Sequence, residues 1–247
     1  MKKSSTPVFR FIDILNEAKS LYLLQIKTFF ALAFIFALLK QAGSFFLERS
    51  VHLTGDHLTL KQPVLLMLTA IIVLLVSILL SALIQRFAYN AYQLKKHTFR
   101  QCWEMSLQKL PRLFITGLIV YLLSAIGVAL YVIPGVLVFT FLFIAQPLIL
   151  FDDLPVLQSI KTSLQWVAKH YFIVLNVAIV NLLLVYLPNI FINFFINNTA
   201  NTVSFGIDEV VSIFINALIF PYLCLLVLVV YHKLHQATHL TDGSTNK

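Results

Sequence analysis

Apolar positions in this chain gather into blocks longer than a soluble core uses. No charged residue occurs between Val64 and Ile84, and the apolar run at 112–151 is 40 residues long. About 20 apolar residues in a row cross the roughly 30 Å of hydrocarbon in a bilayer. A soluble helix carries instead an apolar stripe beside a polar face. The blocks predict membrane spans at about 22–42, 63–85, 112–132, 136–151, 170–191 and 209–231.

The long run has to fold back, because a single helix of that length would measure about 60 Å, twice the hydrocarbon thickness. Pro134-Gly135 is the natural turn within it. Proline fixes φ for the first central position of a turn, and glycine accepts the positive φ of the second. Pro63 suits the first turn of the second span, Pro147 predicts a kink near the end of the fourth, and Pro221 predicts a bend in the sixth.

Three stretches have a different pattern, with apolar residues at helical spacing against charged ones. They lie at about 7–20, 98–110 and 155–169. The first sets Val8, Phe11, Ile12, Leu15 and Ala18 against Arg10, Asp13, Glu17 and Lys19. The second repeats Phe99, Trp103, Leu107 and Leu110, and the third sets Val156, Leu157, Ile160, Leu164 and Val167 against Gln158, Lys161, Gln165 and Lys169. Such helices lie in the membrane interface with their apolar side in the lipid. The expected fold is all-α: one polytopic membrane domain over 1–247, with six transmembrane helices in three hairpins, each preceded by a cytoplasmic interfacial helix. Ser106-Leu107-Gln108 and Ser163-Leu164-Gln165 align two of these units, and Ile12 falls opposite Trp103 in the other, so a threefold repeat is expected.

Composition agrees with the pattern: 60% of residues are hydrophobic, 11% are charged, and mean hydropathy is +0.89. The net charge of +8 comes from basic residues that flank apolar blocks. They fit anionic headgroups and not nucleic acid, for which no basic stripe with interleaved aromatics is present. Placing the N-terminus inside the cell puts 15 of the 18 Lys and Arg residues on that side, leaving Lys40, Arg49 and Lys61 on the other. That asymmetry predicts cytoplasmic N- and C-termini in a bacterial inner membrane. Met1-Lys2-Lys3 begins like a signal peptide, but Arg10, Asp13, Asn16, Glu17 and Lys19 intervene before the apolar stretch, so the first span is expected to be retained. Cys102 and Cys224 fall in a basic connection and an apolar block, and read as small apolar side chains.

A resemblance covers about 98–190. It is carried by Leu110-Pro111-Arg112-Leu113-Phe114, Val132-Ile133-Pro134-Gly135-Val136, Pro147, and Ser159-Ile160-Lys161-Thr162-Ser163 leading to Trp166. In this order the chain resembles the YciC-like bacterial inner-membrane proteins and, more widely, the membrane domains attached to some glycerophosphodiester phosphodiesterases. The resemblance implies an inner-membrane location and six spans. It brings no catalytic residues and no phosphodiesterase activity.

Candidate chemistry is sparse. His232, His235 and His239 share a helix face if the last helix continues, and could hold a transition metal or simply belong to a polar tail. Glu48, His52, Asp56 and His57 cluster in a predicted loop at 47–62 as a metal or proton site, or as solvated residues. No carboxylate or cation lies within a span away from its ends, which counts against proton-driven transport. The polar groups within spans are Gln146, Asn176, Asn181 and Asn216, which serve interhelical packing or a cavity. Lys95, Lys96, Arg100, Lys109, Arg112, Lys161 and Lys169 are the candidate headgroup contacts. No nucleophile elbow, phosphate loop, dinucleotide fingerprint or zinc-protease motif is present, and no cofactor is expected.

The expected function is therefore a non-enzymatic role in envelope organisation or lipid homeostasis, with anionic lipids as partners. A small-solute or lipid transporter, or an accessory subunit docking another protein, remain alternatives.

Overall fold

A computed structural model of the chain describes residues 10–53, 61–93, 98–199 and 207–242. Every element among them is an α-helix: α1 (Phe11–Leu24), α2 (Ile26–Leu53), α3 (Lys61–Gln93), α4 (Phe99–Leu130), α5 (Val132–Leu142), α6 (Ala145–Asp152), α7 (Val156–Lys169), α8 (Tyr171–Thr199) and α9 (Ile207–Asp242). Four of the described helical stretches are long and apolar enough to cross a membrane: Met67–Asn90, Phe99–Leu130, Ile133–Asp152 and Val210–Thr238. The number rises to six if α1 with α2, and α7 with α8, each count as one bent span. In the most apolar stretch of Phe99–Leu130 only 22% of residues are buried. Water does not tolerate so much contiguous apolar surface on a monomer, so long apolar helices exposed in this way mark a membrane-embedded protein.

The bends have a local cause. Gln25 (φ −129°, ψ 25°) and His170 (φ −126°, ψ 31°) leave the helical region, and the axis turns by 86° at the first and 108° at the second. The stretches of the first and third predicted interfacial helices therefore form separate helices, α1 and α7, each set at a bend to the helix that follows. The second does not: α4 runs unbroken through Pro111. Cys102, Ser106, Leu113 and Gly117 form one buried stripe across the proline, so the same face stays packed and nothing drives a break there.

The predicted turn at Pro134-Gly135 is displaced. The chain reverses at Tyr131 (φ −164°, ψ 151°), a single extended residue between α4 and α5, and Pro134 and Gly135 belong to the first turn of α5. Proline is tolerated there because first-turn donors lack intrahelical partners. Gly135 serves close approach instead of positive φ. A Cβ on it would strike the Val128 side chain and stand 2.7 Å from the Val128 nitrogen, and one on Gly127 would lie 2.7 Å from the Gly135 Cα.

The kink expected at Pro147 lies slightly earlier, at Phe143 and Ile144, which separate α5 from α6. Pro147 has no N–H to return to the Phe143 carbonyl. The Ser163 hydroxyl of α7 donates to the Phe141 carbonyl at 2.7 Å across this break. Pro221 sits inside α9 without interrupting it. Four helices also outrun their predicted spans: α2 continues to Leu53 and α8 to Thr199, into stretches predicted as loops, α3 continues past residue 85 to Gln93, and α9 continues to Asp242, into the predicted polar tail. Bilayer thickness limits the apolar stretch, not the helix around it.

The core forms around α9. Leu225, Leu226, Leu228, Val229, Val230 and Leu234 are fully buried, and Tyr231 is 1% exposed. A helix apolar on all sides belongs at the centre of a bundle. Ile14 and Ala18 of α1, Phe29 of α2, Ile84 of α3, Ile144 just before α6 and Leu148 within it, Val167 of α7 and Val174 of α8 complete this core.

Candidate functional site

Two regions offer chemistry: an apolar cavity along the spans and a basic cluster at one end of the bundle.

The cavity has a volume of about 740 Å³ and is bounded by α2, α3, α4, α8 and α9. Small side chains create it. Ala33 and Ala37 on α2, Ala70, Ser77 and Ser81 on α3, and Cys224 on α9 line positions where larger groups would fill the space. Ala33 and Ala37 also meet Ala217 of α9, a small-to-small contact that lets the two helices approach. Met67, Tyr121 and Leu122 at the rim are 65%, 65% and 50% exposed, so the cavity opens sideways, toward the lipid-facing surface.

Its polar groups are mostly occupied within the protein. The Ser77 hydroxyl donates to the Val73 carbonyl at 2.7 Å, and Asn216 Nδ2 donates to the Ser212 carbonyl at 2.8 Å. The Cys224 thiol approaches Ser81 Oγ at 3.5 Å, and Gln85 Nε2 donates to the same oxygen at 3.1 Å. No Asp, Glu, Lys or Arg lines the space. To an occupant it is a hydrocarbon-like slot with two amides, Asn181 and Asn216, on its wall. Of the four intramembrane polar residues singled out in the sequence, the structure brings these two together. Gln146 lies instead against Gly117 and Asn176 is exposed, and neither lines the cavity.

At the basic end, the candidate headgroup cations divide. Lys109 Nζ donates to the carbonyls of Ile149 (3.3 Å) and Leu150 (3.2 Å) and pairs with Asp153 Oδ1 at 3.1 Å. Arg112 Nη1 reaches the same oxygen at 3.2 Å. Asp153 follows α6 in the left-handed region (φ 56°, ψ 27°), where a helix terminates. Lys109 and Arg112 thus hold the C-terminus of α6, whose exposed carbonyls carry partial negative charge. The Lys109 hydrogen bond is the main reason that the Asp153 carboxyl is held below its ordinary range. Arg100 is exposed and pairs with Glu104 at 2.9 Å, while Lys161 and Lys169 are exposed. Lys95 and Lys96 lie outside the described residues.

Of the three histidines, His232 and His235 join a polar and aromatic network. His232 stacks on Tyr92 with ring centroids 4.1 Å apart, and its Nε2 lies 2.9 Å from Gln236. His235 Nε2 stands 3.6 Å from Asp152, which also accepts from the Tyr231 hydroxyl at 2.7 Å. No group of three metal-ligating side chains occurs among the described residues. The His239 side chain, and the side chains of the Glu48, His52, Asp56 and His57 cluster, lie outside the described set.

Sequence reasoning missed the small residues that open the cavity and also Arg86, which reads as a plain flank marker after Gln85. The signal for the former was present: Ala33 with Ala37, and Ser77 with Ser81, are each i, i+4 pairs on one helix face.

No family model matches the chain, and neither a curated protein nor a solved structure does. The class rests on the fold alone: an α-helical membrane protein with a laterally open apolar cavity.

Proposed function

We propose that this chain is a non-enzymatic multi-pass protein of a bacterial inner membrane that binds a long-chain lipid in its lateral cavity, in the service of lipid homeostasis or envelope organisation. The observation that carries this reading is the slot of about 740 Å³, apolar, open to the lipid-facing surface and lined without ionised groups. Its size falls in the range of specific small-molecule sites. An acyl chain gains little by leaving one hydrocarbon phase for another. Occupancy is driven instead by filling a space whose lining otherwise lacks dispersion partners. The bundle's basic end faces the cytoplasm in this reading, as the distribution of Lys and Arg favours. The order of residues shared with YciC-like proteins supports the same placement.

A carrier that moves lipid between leaflets is the second reading, favoured by the two cavity amides, Asn181 and Asn216. Filling the slot tests both. Ala70→Trp and Ala37→Phe, purified in mild detergent, should retain several-fold less co-purified lipid by native mass spectrometry than the parent protein. Equal lipid in parent and variants would overturn the proposal. Reconstituted vesicles separate the two readings: accelerated lipid flip-flop that the same substitutions abolish identifies the carrier.

A further inference from the structure

Arg86 is a half-buried cation whose donors are only partly met within the protein. Its Nη2 donates to the Leu150 carbonyl at 2.9 Å, its Nη1 points at the Met105 thioether at 3.3 Å, and its Nε is buried with no acceptor in the protein. Sulfur is a weak acceptor, and among the described residues no carboxylate comes within ion-pair distance of this guanidinium. A guanidinium withdrawn from water normally meets an oxyanion with two parallel donors.

The surroundings supply the rest of such a site. Arg86 lines a second pocket, of about 160 Å³, with Asn90, Cys102, Met105, Lys109 and Leu150. That is roughly ten times the space a single water needs. Arg86, Lys109 and the adjoining Arg112 face Asp153 and the C-terminus of α6. Counting the helix end as about half a negative charge leaves an excess of about +1.5. The exposed pair Arg100 and Glu104 cancels itself.

We propose that the pocket between α3, α4 and the end of α6 binds a phosphate oxyanion, with the Arg86 guanidinium as its donor, through the Nη1 that now meets only the Met105 thioether, and with the Lys109 ammonium, whose hydrogens go to Ile149, Leu150 and Asp153, adding positive charge alone. The phosphate is either that of an anionic lipid headgroup or a soluble one. This site is separate from the apolar cavity, so the two stand or fall independently.

The test uses the full chain in nanodiscs of phosphatidylcholine alone. Added inorganic phosphate, compared with chloride at equal ionic strength, should raise the unfolding midpoint by about 3–6 °C at tenfold its Kd. Replacing a fifth of the lipid with phosphatidylglycerol gives the second arm. A rise with phosphatidylglycerol and none with inorganic phosphate assigns the site to a headgroup, and the converse assigns it to a soluble ligand. No rise in either arm overturns the proposal. Arg86→Gln should abolish the response and Arg100→Gln should leave it intact. Met105→Glu guards against misfolding of Arg86→Gln: it sets a carboxylate against Arg86 Nη1 and should remove the response while preserving or raising the midpoint. A response that persists undiminished in Met105→Glu overturns the assignment to Arg86.

Discussion

Lys233 on α9 reaches Glu17 on α1, with Nζ 2.7 Å from Oε2, and so ties together helices far apart in the chain. The other Glu17 oxygen accepts from the Tyr92 hydroxyl of α3 at 2.7 Å. One carboxylate therefore joins three helices at the basic end. Burial, together with that hydrogen bond to Glu17, pushes the Tyr92 phenol above its ordinary range.

Glu17→Gln should destabilise the protein by about 1–3 kcal/mol, because it leaves a partly buried ammonium without its counter-charge. In a double-mutant cycle with Lys233→Met, unfolding midpoints should show coupling of about 1 kcal/mol. Additive effects would mean that the pair contributes nothing beyond its parts.

Ser163→Ala should cost about 1–2 kcal/mol, the usual penalty for leaving a buried backbone acceptor unmet. Ser163 is fully buried, and its hydroxyl meets the Phe141 carbonyl beside the break between α5 and α6. Ser159 is equally buried but bonds within its own helix, to the Val156 carbonyl at 2.7 Å. Ser159→Ala should therefore cost less. Chemical denaturation of both variants in the same detergent decides the order.

Glycine substitutions should divide by what the new methyl meets. At Gly135 it meets the Val128 side chain and backbone, so Gly135→Ala forces α4 and α5 apart and should cost about 1–3 kcal/mol. At Gly117 it meets the far end of Ile78 at 2.7 Å and the Gln146 amide at 3.1 Å, and both can move. Gly117→Ala also gains up to about 1 kcal/mol of helix propensity. Its thermal midpoint should stay near that of the parent, well above that of Gly135→Ala.

Asp153 makes a pH prediction. Its carboxyl has an ordinary value of 3.8 and is held lower by Lys109 and then by Arg112 and Arg86. The unfolded chain therefore takes up the proton first as pH falls. The stabilisation is complete well above 3.8 and disappears as pH drops through the lower folded value. Asp153→Asn should lower the midpoint at pH 7, and the gap should narrow and close as pH falls below 3.8 and through the lower folded value. A gap of constant size down to pH 2 would mean that charge is not what Asp153 contributes.

The apolar blocks were legible because lipid imposes a length and a composition that few other environments demand. Boundaries were less so. Leu53, Thr199 and Asp242 end helices that carry on beyond their apolar stretches, since backbone hydrogen bonds persist in water. Pro134-Gly135 has the composition of a turn, yet Gly135 is small because Val128 crosses it, a contact that no local pattern reveals. Asn181 and Asn216 stood out as polar groups in apolar blocks, and both reach the cavity. The cavity itself needs five helices to enclose it, and the alanines and serines that open it look like ordinary packing residues until those helices are assembled.

The position of α9 has a consequence for how the protein is made. It is the helix on which α1, α2, α3, α6 and α8 converge, and it leaves the ribosome after all of them. From the end of α3 at Gln93 to the end of α9 at Asp242 there are 149 residues, about 7–30 s of synthesis at common rates. For that interval the earlier helices have been threaded into the bilayer without the partner that closes them. Their inward faces need temporary company from the insertion machinery, a chaperone or bulk lipid. An occupant of the cavity could thus be acquired during biogenesis, before the last helix arrives to enclose it.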